Sequence, residues 1–288
     1  MTLRPFKQVD VFTPVAYRGN PLAVVLDGQG LTTEQMQHFT EWTNLSEATF
    51  LLPPTQPEAD YRVRIFSPGR ELLFAGHPTL GSCHAWLEAG GQPRGEHVVQ
   101  ECGIGLVKLR RDGDRLAFAA PPLRKQGPLP EEDVALIALG LGIARSDIVA
   151  HAWCDNGPNW RGVMLHSAEQ VLALQPDASI LSGLDVGVVG PRGKVGVVGS
   201  RDAADDCAFE VRAFFPGNSG MIEDPVTGSL NAALAQWLIG AGIAPGSYVA
   251  SQGTALGRAG RVHVQRDAHG DTWIGGSSVT CIDGQVRL

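Results

Sequence analysis

The sequence predicts an α+β protein of two pseudo-symmetric lobes, each a curved, mostly antiparallel sheet or barrel wrapped around a central buried helix. Three observations predict it. The 288-residue chain is 43% hydrophobic yet carries 36 glycines and 19 prolines, which calls for many tight turns between short strands around a large core. Two stretches, 72–87 and 225–257, contain no Asp, Glu, Lys or Arg. An apolar helix without a charged face has to be surrounded by protein. The third observation is an internal repeat.

Val63, Arg64, Phe66 and Pro68 match Val211, Arg212, Phe214 and Pro216 at an offset of 148 residues. Pro78, Gly81, Ser82, Ala85 and Leu87 match Pro225, Gly228, Ser229, Ala232 and Leu234 at an offset of 147. Two blocks in one order, with nearly equal offsets and an uncharged helix after each strand, read as duplication. At the second offset His77 stands opposite Asp224.

Each element follows from local pattern. Alternating apolar residues predict strands at 7–12, 22–26, 49–52 and 60–66. A helix starts with Thr32 or Thr33 as N-cap and shows Met36, Phe39 and Trp42 on its apolar face. The first buried helix runs over 78–87, followed by strands at 96–101, 105–110 and 115–119. Four prolines in 121–130 read as a linker, so the lobes are expected at 1–123 and 124–276, with 277–288 able to cross back to the first. A helix over 131–139 has an acidic first turn that suits its dipole. Strands at 147–152 and 161–165, a short helix at 168–174, and strands at 186–189, 195–198 and 209–214 come next. The second buried helix covers 226–239, before strands at 248–251, 262–265 and 272–275. The glycine-rich 190–196 reads as a hairpin turn.

Composition narrows the partners. Twenty-three basic against thirty acidic residues give a net charge of −7, and no Lys/Arg cluster is present to follow a phosphate backbone, so no nucleic acid is expected. The apolar part of 225–257 is too short for the ~20 residues that span a bilayer, and residues 1–10 hold no apolar signal, so no membrane partner is expected. Five scattered cysteines without a C-x-x-C suit reduced thiols in a cytoplasm and leave no metal site.

Two motifs stand where a strand gives way to a buried helix: Phe74-Ala-Gly-His-Pro-Thr-Leu-Gly81 and Glu223-Asp-Pro-Val-Thr-Gly-Ser229. A buried helix start presents unpaired N–H groups and a partial positive charge, which suits an anion such as a substrate carboxylate. Simple capping is the plain role for Asp224 and Thr227, and a carbonyl partner for His77. A third feature, Asn44-Leu-Ser-Glu47 before the apolar strand from Ala48, places a carboxylate where desolvation favours acid–base work. Ser229, His77 and Asp224 could suggest a hydrolase, but no G-x-S-x-G occurs. Complete G-x-G-x-x-G, Walker A and H-E-x-x-H motifs are missing too, which leaves nicotinamide, nucleotide and zinc chemistry without support.

The ordered set Asp10-Val-Phe-Thr13, Gly19-Asn-Pro-Leu-Ala-Val-Val25, Asn44-Leu-Ser-Glu47, Gly76-His-Pro-Thr79, Asn156-Gly-Pro-Asn-Trp160, residues 167–177 and Glu223–Ser229 resembles the phenazine-biosynthesis PhzF-like family over nearly the whole chain. The resemblance implies a fold like that of diaminopimelate epimerase and a homodimeric isomerase without cofactors, its site in the inter-lobe cleft. In the founding member of that family a glutamate moves a proton between carbons of a dihydro-hydroxyanthranilate. The matching catalytic residues here are Glu47, His77 and Asp224, and the matching substrate-binding residues are Gly76, Thr227, Gly228 and Ser229. The related epimerases carry a cysteine in each lobe; the matching positions here are Ala75 and Thr227, neither able to form a thiolate. Cys83 lies inside the helix and reads as core. A single carboxylate shuttling one proton is thus the expected chemistry, on a small-molecule carboxylate substrate. The alternatives are an epimerase or racemase of an amino acid-like substrate, and a non-catalytic binding or interaction protein on the same scaffold.

Overall fold

The computed structural model describes residues 2–193, 206–217 and 220–288. In chain order these form β1 (Leu3–Val11), β2 (Asn20–Val25), α1 (Thr33–Thr43), β3 (Ala48–Leu52), β4 (Tyr61–Ser67), β5 (Arg70–Leu72), α2 (Gly76–Glu88), β6 (Val98–Cys102), β7 (Gly105–Asp112) and β8 (Arg115–Ala119). Next come α3 (Glu131–Leu141), β9 (Ala150–Asp155), β10 (Asn159–Met164), α4 (Ala168–Ala173), β11 (Val186–Pro191), β12 (Phe209–Gly217) and β13 (Gly220–Asp224). The chain closes with α5 (Gly228–Gly240), β14 (Ser247–Gln252), β15 (Gly260–Arg266), β16 (Thr272–Gly276) and β17 (Ser278–Arg287). The expected strand at 195–198, and part of the turn at 190–196, lie outside the described residues. Two compact units are present: Met1–Ala119 with Gly275–Leu288, and Ala120–Ile274.

In the first unit, β1 pairs antiparallel with β17 and β2, β2 parallel with β3, and β3 antiparallel with β4. Strand β4 forms a hairpin with β5 and a parallel pair with β6, which leads antiparallel through β7 to β8. Helix α2 packs against β1, β2, β3, β6, β8 and β17, so the sheet curls around it. Its fit is close: a Cβ on Gly81 would lie 2.6 Å from Leu22 Cδ2 and 2.9 Å from Val11 Cγ2. Helix α1 covers the outer face, where Met36 and Phe39 join Ala23, Val25, Phe50 and Phe66. Its N-cap is Thr32, in a full capping box with Gln35.

The second unit repeats the scheme. Strand β9 pairs antiparallel with β10, β10 parallel with β11, and β11 antiparallel with β12. Strand β12 forms a hairpin with β13 and a parallel pair with β14, which is antiparallel to β15. Helices α4 and α5 occupy the places in this order that α1 and α2 hold in the first unit. Helix α5 packs on β9 and β15, and a Cβ on Gly187 of β11 would overlap Leu230 of the helix. A separate core of Val134, Ile137, Leu141, Trp153, Val186 and Phe214 lies under α3. Among the described residues no helix is long and apolar enough to cross a membrane.

Several expectations need correction. The two strands match at an offset of 148, Tyr61 to Phe209, but the helices start 152 residues apart, at Gly76 and Gly228. The reason is the hairpin between them: β4 and β5 share three pairs, whereas β12 and β13 share five, two residues longer on each strand. His77 therefore corresponds to Ser229, the second residue of its helix, and not to Asp224. Trp42 is 81% exposed. Two successive steps of three residues drift around a helix, so Thr40, four after Met36, takes the inner position instead. The proline-rich 121–130 is tied down within the second unit, through Arg124 N–H to Asp155 O and Trp153 N–H to Gly127 O. The last strand spans ten residues along β1, within the segment 277–288 expected to cross back to the first lobe.

Candidate active site

Glu47 and His77 meet in the first unit. The αL conformation of Asn44 (φ 57°) ends α1 and turns the chain toward β3, which brings Glu47 just ahead of that buried strand. His77 is the second residue of α2 and is 4% exposed. Its Nε2 lies 3.4 Å from Glu47 Oε2, and the glutamate side chain is only 17% exposed. Burial pushes the His77 pKa down to about 3, because an imidazolium there would lose its hydration. Gly76, buried at the first helical position, precedes it; the N-cap Ala75 has no side chain able to cap. Pro78 has no N–H. The amides of the first turn thus stay available to a ligand rather than to a cap.

The remaining site residues gather in the second unit at the start of α5. Thr227 is the N-cap, but its side chain does not accept from the helix. Its Oγ1 donates instead to Asp224 Oδ2 at 2.6 Å. Thr227 therefore does not cap the helix through its side chain, the plain role expected of it. Gln252, fully buried at the end of β14, holds the turn together. Its Oε1 accepts from Thr227 N–H (3.0 Å) and Asn231 Nδ2 (2.8 Å). Its Nε2 donates to Asp224 O (3.1 Å) and Thr227 Oγ1 (2.9 Å). Ser229 accepts from Trp160 Nε1 at its Oγ (3.1 Å) and from Asn156 Nδ2 at its carbonyl (2.8 Å). A hydroxyl that accepts from an indole keeps its own proton for another acceptor. Gly228 and Ser229 supply first-turn amides, and Asp224 stands 8% exposed beside them.

Sequence reasoning missed Gln252, Asn231 and Asn20, whose amides hold the site residues. Each is a buried amide, a signal visible only once burial is known. Cys83 is fully buried and its thiol is pushed up to about 12 by burial, as a core residue rather than a thiolate base. Among the described residues no group of three or more His, Cys, Asp or Glu is placed to hold a metal ion.

This arrangement sits on a chain with many relatives. The model of the family described as phenazine biosynthesis-like protein matches residues 9–284. A Schizosaccharomyces pombe protein named antisense-enhancing sequence 1 is 37% identical, over 99% of both chains. The trans-2,3-dihydro-3-hydroxyanthranilate isomerase of Pseudomonas aeruginosa is 31% identical, covering 97% of this chain and 98% of its own. A Bacillus anthracis phenazine biosynthesis protein of the PhzF family shares the fold over the full length of both chains, with a TM-score of 0.81 at 21% identity.

Proposed function

Since the chain belongs to the phenazine biosynthesis-like protein family, we propose that it is an isomerase that moves a proton between two carbons of a small unsaturated or cyclic carboxylic acid, without a cofactor. The observation that carries the reading is the buried pair of Glu47 and neutral His77, 3.4 Å apart at a helix start whose amides no side chain caps. Glu47 takes a proton from one carbon and becomes a carboxylic acid; it returns a proton to a second carbon of the conjugated system and is a carboxylate again. One base suffices because donor and acceptor carbons belong to one delocalised anion. Two-base racemisation is disfavoured: the N-cap positions Ala75 and Thr227 carry no thiol, and Cys83 is locked in the core. Asp224 and the amides of Gly228 and Ser229 are assigned to binding, with the Ser229 hydroxyl as an added donor.

The name of the Pseudomonas aeruginosa relative supports both the reaction class and an unsaturated cyclic acid as substrate. The test is solvent-deuterium exchange into a panel of small unsaturated and amino carboxylic acids, read by mass spectrometry. Wild-type protein is expected to label one member, and Glu47→Gln to lose about 10²–10⁴-fold of that rate. Undiminished labelling by a folded Glu47→Gln protein would remove Glu47 from the reaction.

A further inference from the structure

The segment from Asp10 to Asn20 carries part of the family likeness, and its place in the first unit gives it a chemical role. Asn20 opens β2, is fully buried, and sets its Nδ2 3.3 Å from His77 Nδ1. The other edge of the same ring presents Nε2 to Glu47 Oε2 at 3.4 Å. A neutral imidazole has one N–H and one bare nitrogen. With Glu47 in the carboxylate form that the proposed reaction needs, a bare Nε2 would point its lone pair at an anionic oxygen. An Nε2–H is attracted there instead. Nδ1 is then the acceptor, and the amide NH2 of Asn20 is the group that suits it. Contacts on opposite edges of one ring demand the same tautomer.

Asn20 is itself held firmly. It pairs with Val11 in the β1–β2 register. The intervening chain turns back tightly: Phe12 and Tyr17 adopt left-handed φ values of 66° and 68°. Asp10 Oδ2 fastens its far end by accepting from the Arg18 (2.7 Å) and Gly19 (2.9 Å) amides. A Cβ on Gly19 would overlap the Val11 carbonyl oxygen, so only glycine fits there.

We propose that Asn20 is a positioning residue that fixes His77 as its Nε2–H tautomer, making His77 a hydrogen-bond donor toward Glu47 and the substrate rather than a second base. This rests on the isomerase reading for its role in turnover. His77 keeps its proton throughout; the one proton that moves travels from carbon to Glu47 and back to carbon. At 3.4 Å the Nε2–Oε2 contact is longer than a formed N–H···O bond of about 2.7–3.2 Å. Such contacts in a free enzyme commonly tighten when substrate binds.

The experiment is heteronuclear NMR of protein labelled with 15N-histidine, which reads directly which ring nitrogen carries hydrogen. It needs no substrate, so its outcome is independent of whether the isomerase reading holds. Wild-type His77 is expected as Nε2–H at neutral pH; an Nδ1–H ring overturns the proposal. In Asn20→Asp the near-isosteric carboxylate accepts from Nδ1, and the proton is expected to move to that nitrogen. On a substrate found by deuterium exchange, the same variant is expected to lose about 10²-fold in kcat with KM little changed. A folded Asn20→Asp protein with wild-type tautomer, or with a moved proton and wild-type kcat, overturns it too.

Discussion

His77 makes acid stability a quantitative test of the site. The side chain is buried, and its pKa falls from 6.5 to about 3 through lost hydration. In the unfolded chain the same group titrates near its ordinary value. Between these two pKa values the unfolded state binds the proton and the folded state does not. The contribution is fully present above about pH 6.5 and is lost as pH falls toward about 3. A gap of about 3.5 pKa units corresponds to about 5 kcal/mol, lost at about 1.4 kcal/mol per pH unit. A carboxylate on Glu47, 3.4 Å away, attracts a proton to the ring and works against burial, so about 5 kcal/mol is a ceiling. The assay is urea unfolding of wild type and His77→Gln at intervals from about pH 7.5 to about pH 4. Glutamine does not titrate, so the wild-type curve should fall more steeply, by up to the slope given. NMR of the ring Cε1–H should show no titration across the same range. A His77 that titrates near its ordinary pKa, or parallel stability curves for the two proteins, would refute the claim that this imidazole is held neutral by burial.

Other consequences are as direct. Gly81→Ala should destabilise the first unit by about 1–3 kcal/mol despite the better helix propensity of alanine, seen as a lower Tm, because its Cβ meets Leu22 and Val11. Gly240→Ala, where a Cβ meets nothing within 4 Å, should leave Tm unchanged or slightly higher. Gln252→Leu should cost about 1–3 kcal/mol by leaving the buried Thr227 N–H without an acceptor, and should weaken substrate labelling through the loosened Asp224 turn; denaturant midpoints and exchange rates read the two effects separately. A thiol reagent should modify Cys281, which is part-exposed, well before Cys83 or Cys154, whose thiols burial pushes up to about 12; mass mapping of time points checks the order.

Much of this was legible in the chain. The absence of charge from 72–87 and 225–257 announced two enclosed helices, because no other environment accepts a helix without a polar side. The strand motif shared by Tyr61 and Phe209 announced the duplication, and the pairing order of β1–β7 recurs in β9–β15. Glu47 and His77 were visible as chemistry-bearing residues next to apolar elements. Their partnership was not visible, since 30 residues and three strands separate them in sequence. The pairing of His77 with Asp224 across the repeat failed for a similar reason: identities at Pro78 and Pro225 hid a longer hairpin, and sequence matching cannot see four residues added to a ladder.

The amino-acid order by itself determined the elements, the repeat and the kinds of side chain at each helix start, because these follow from short-range periodicity, charge and backbone preference. The tertiary structure decided which groups touch: Asn20 against His77, His77 against Glu47, and Gln252 around the Asp224–Thr227 turn. Those contacts join residues 25 to 57 positions apart, and a buried amide or imidazole takes its protonation and its role from whichever groups the packed interior places within hydrogen-bond reach.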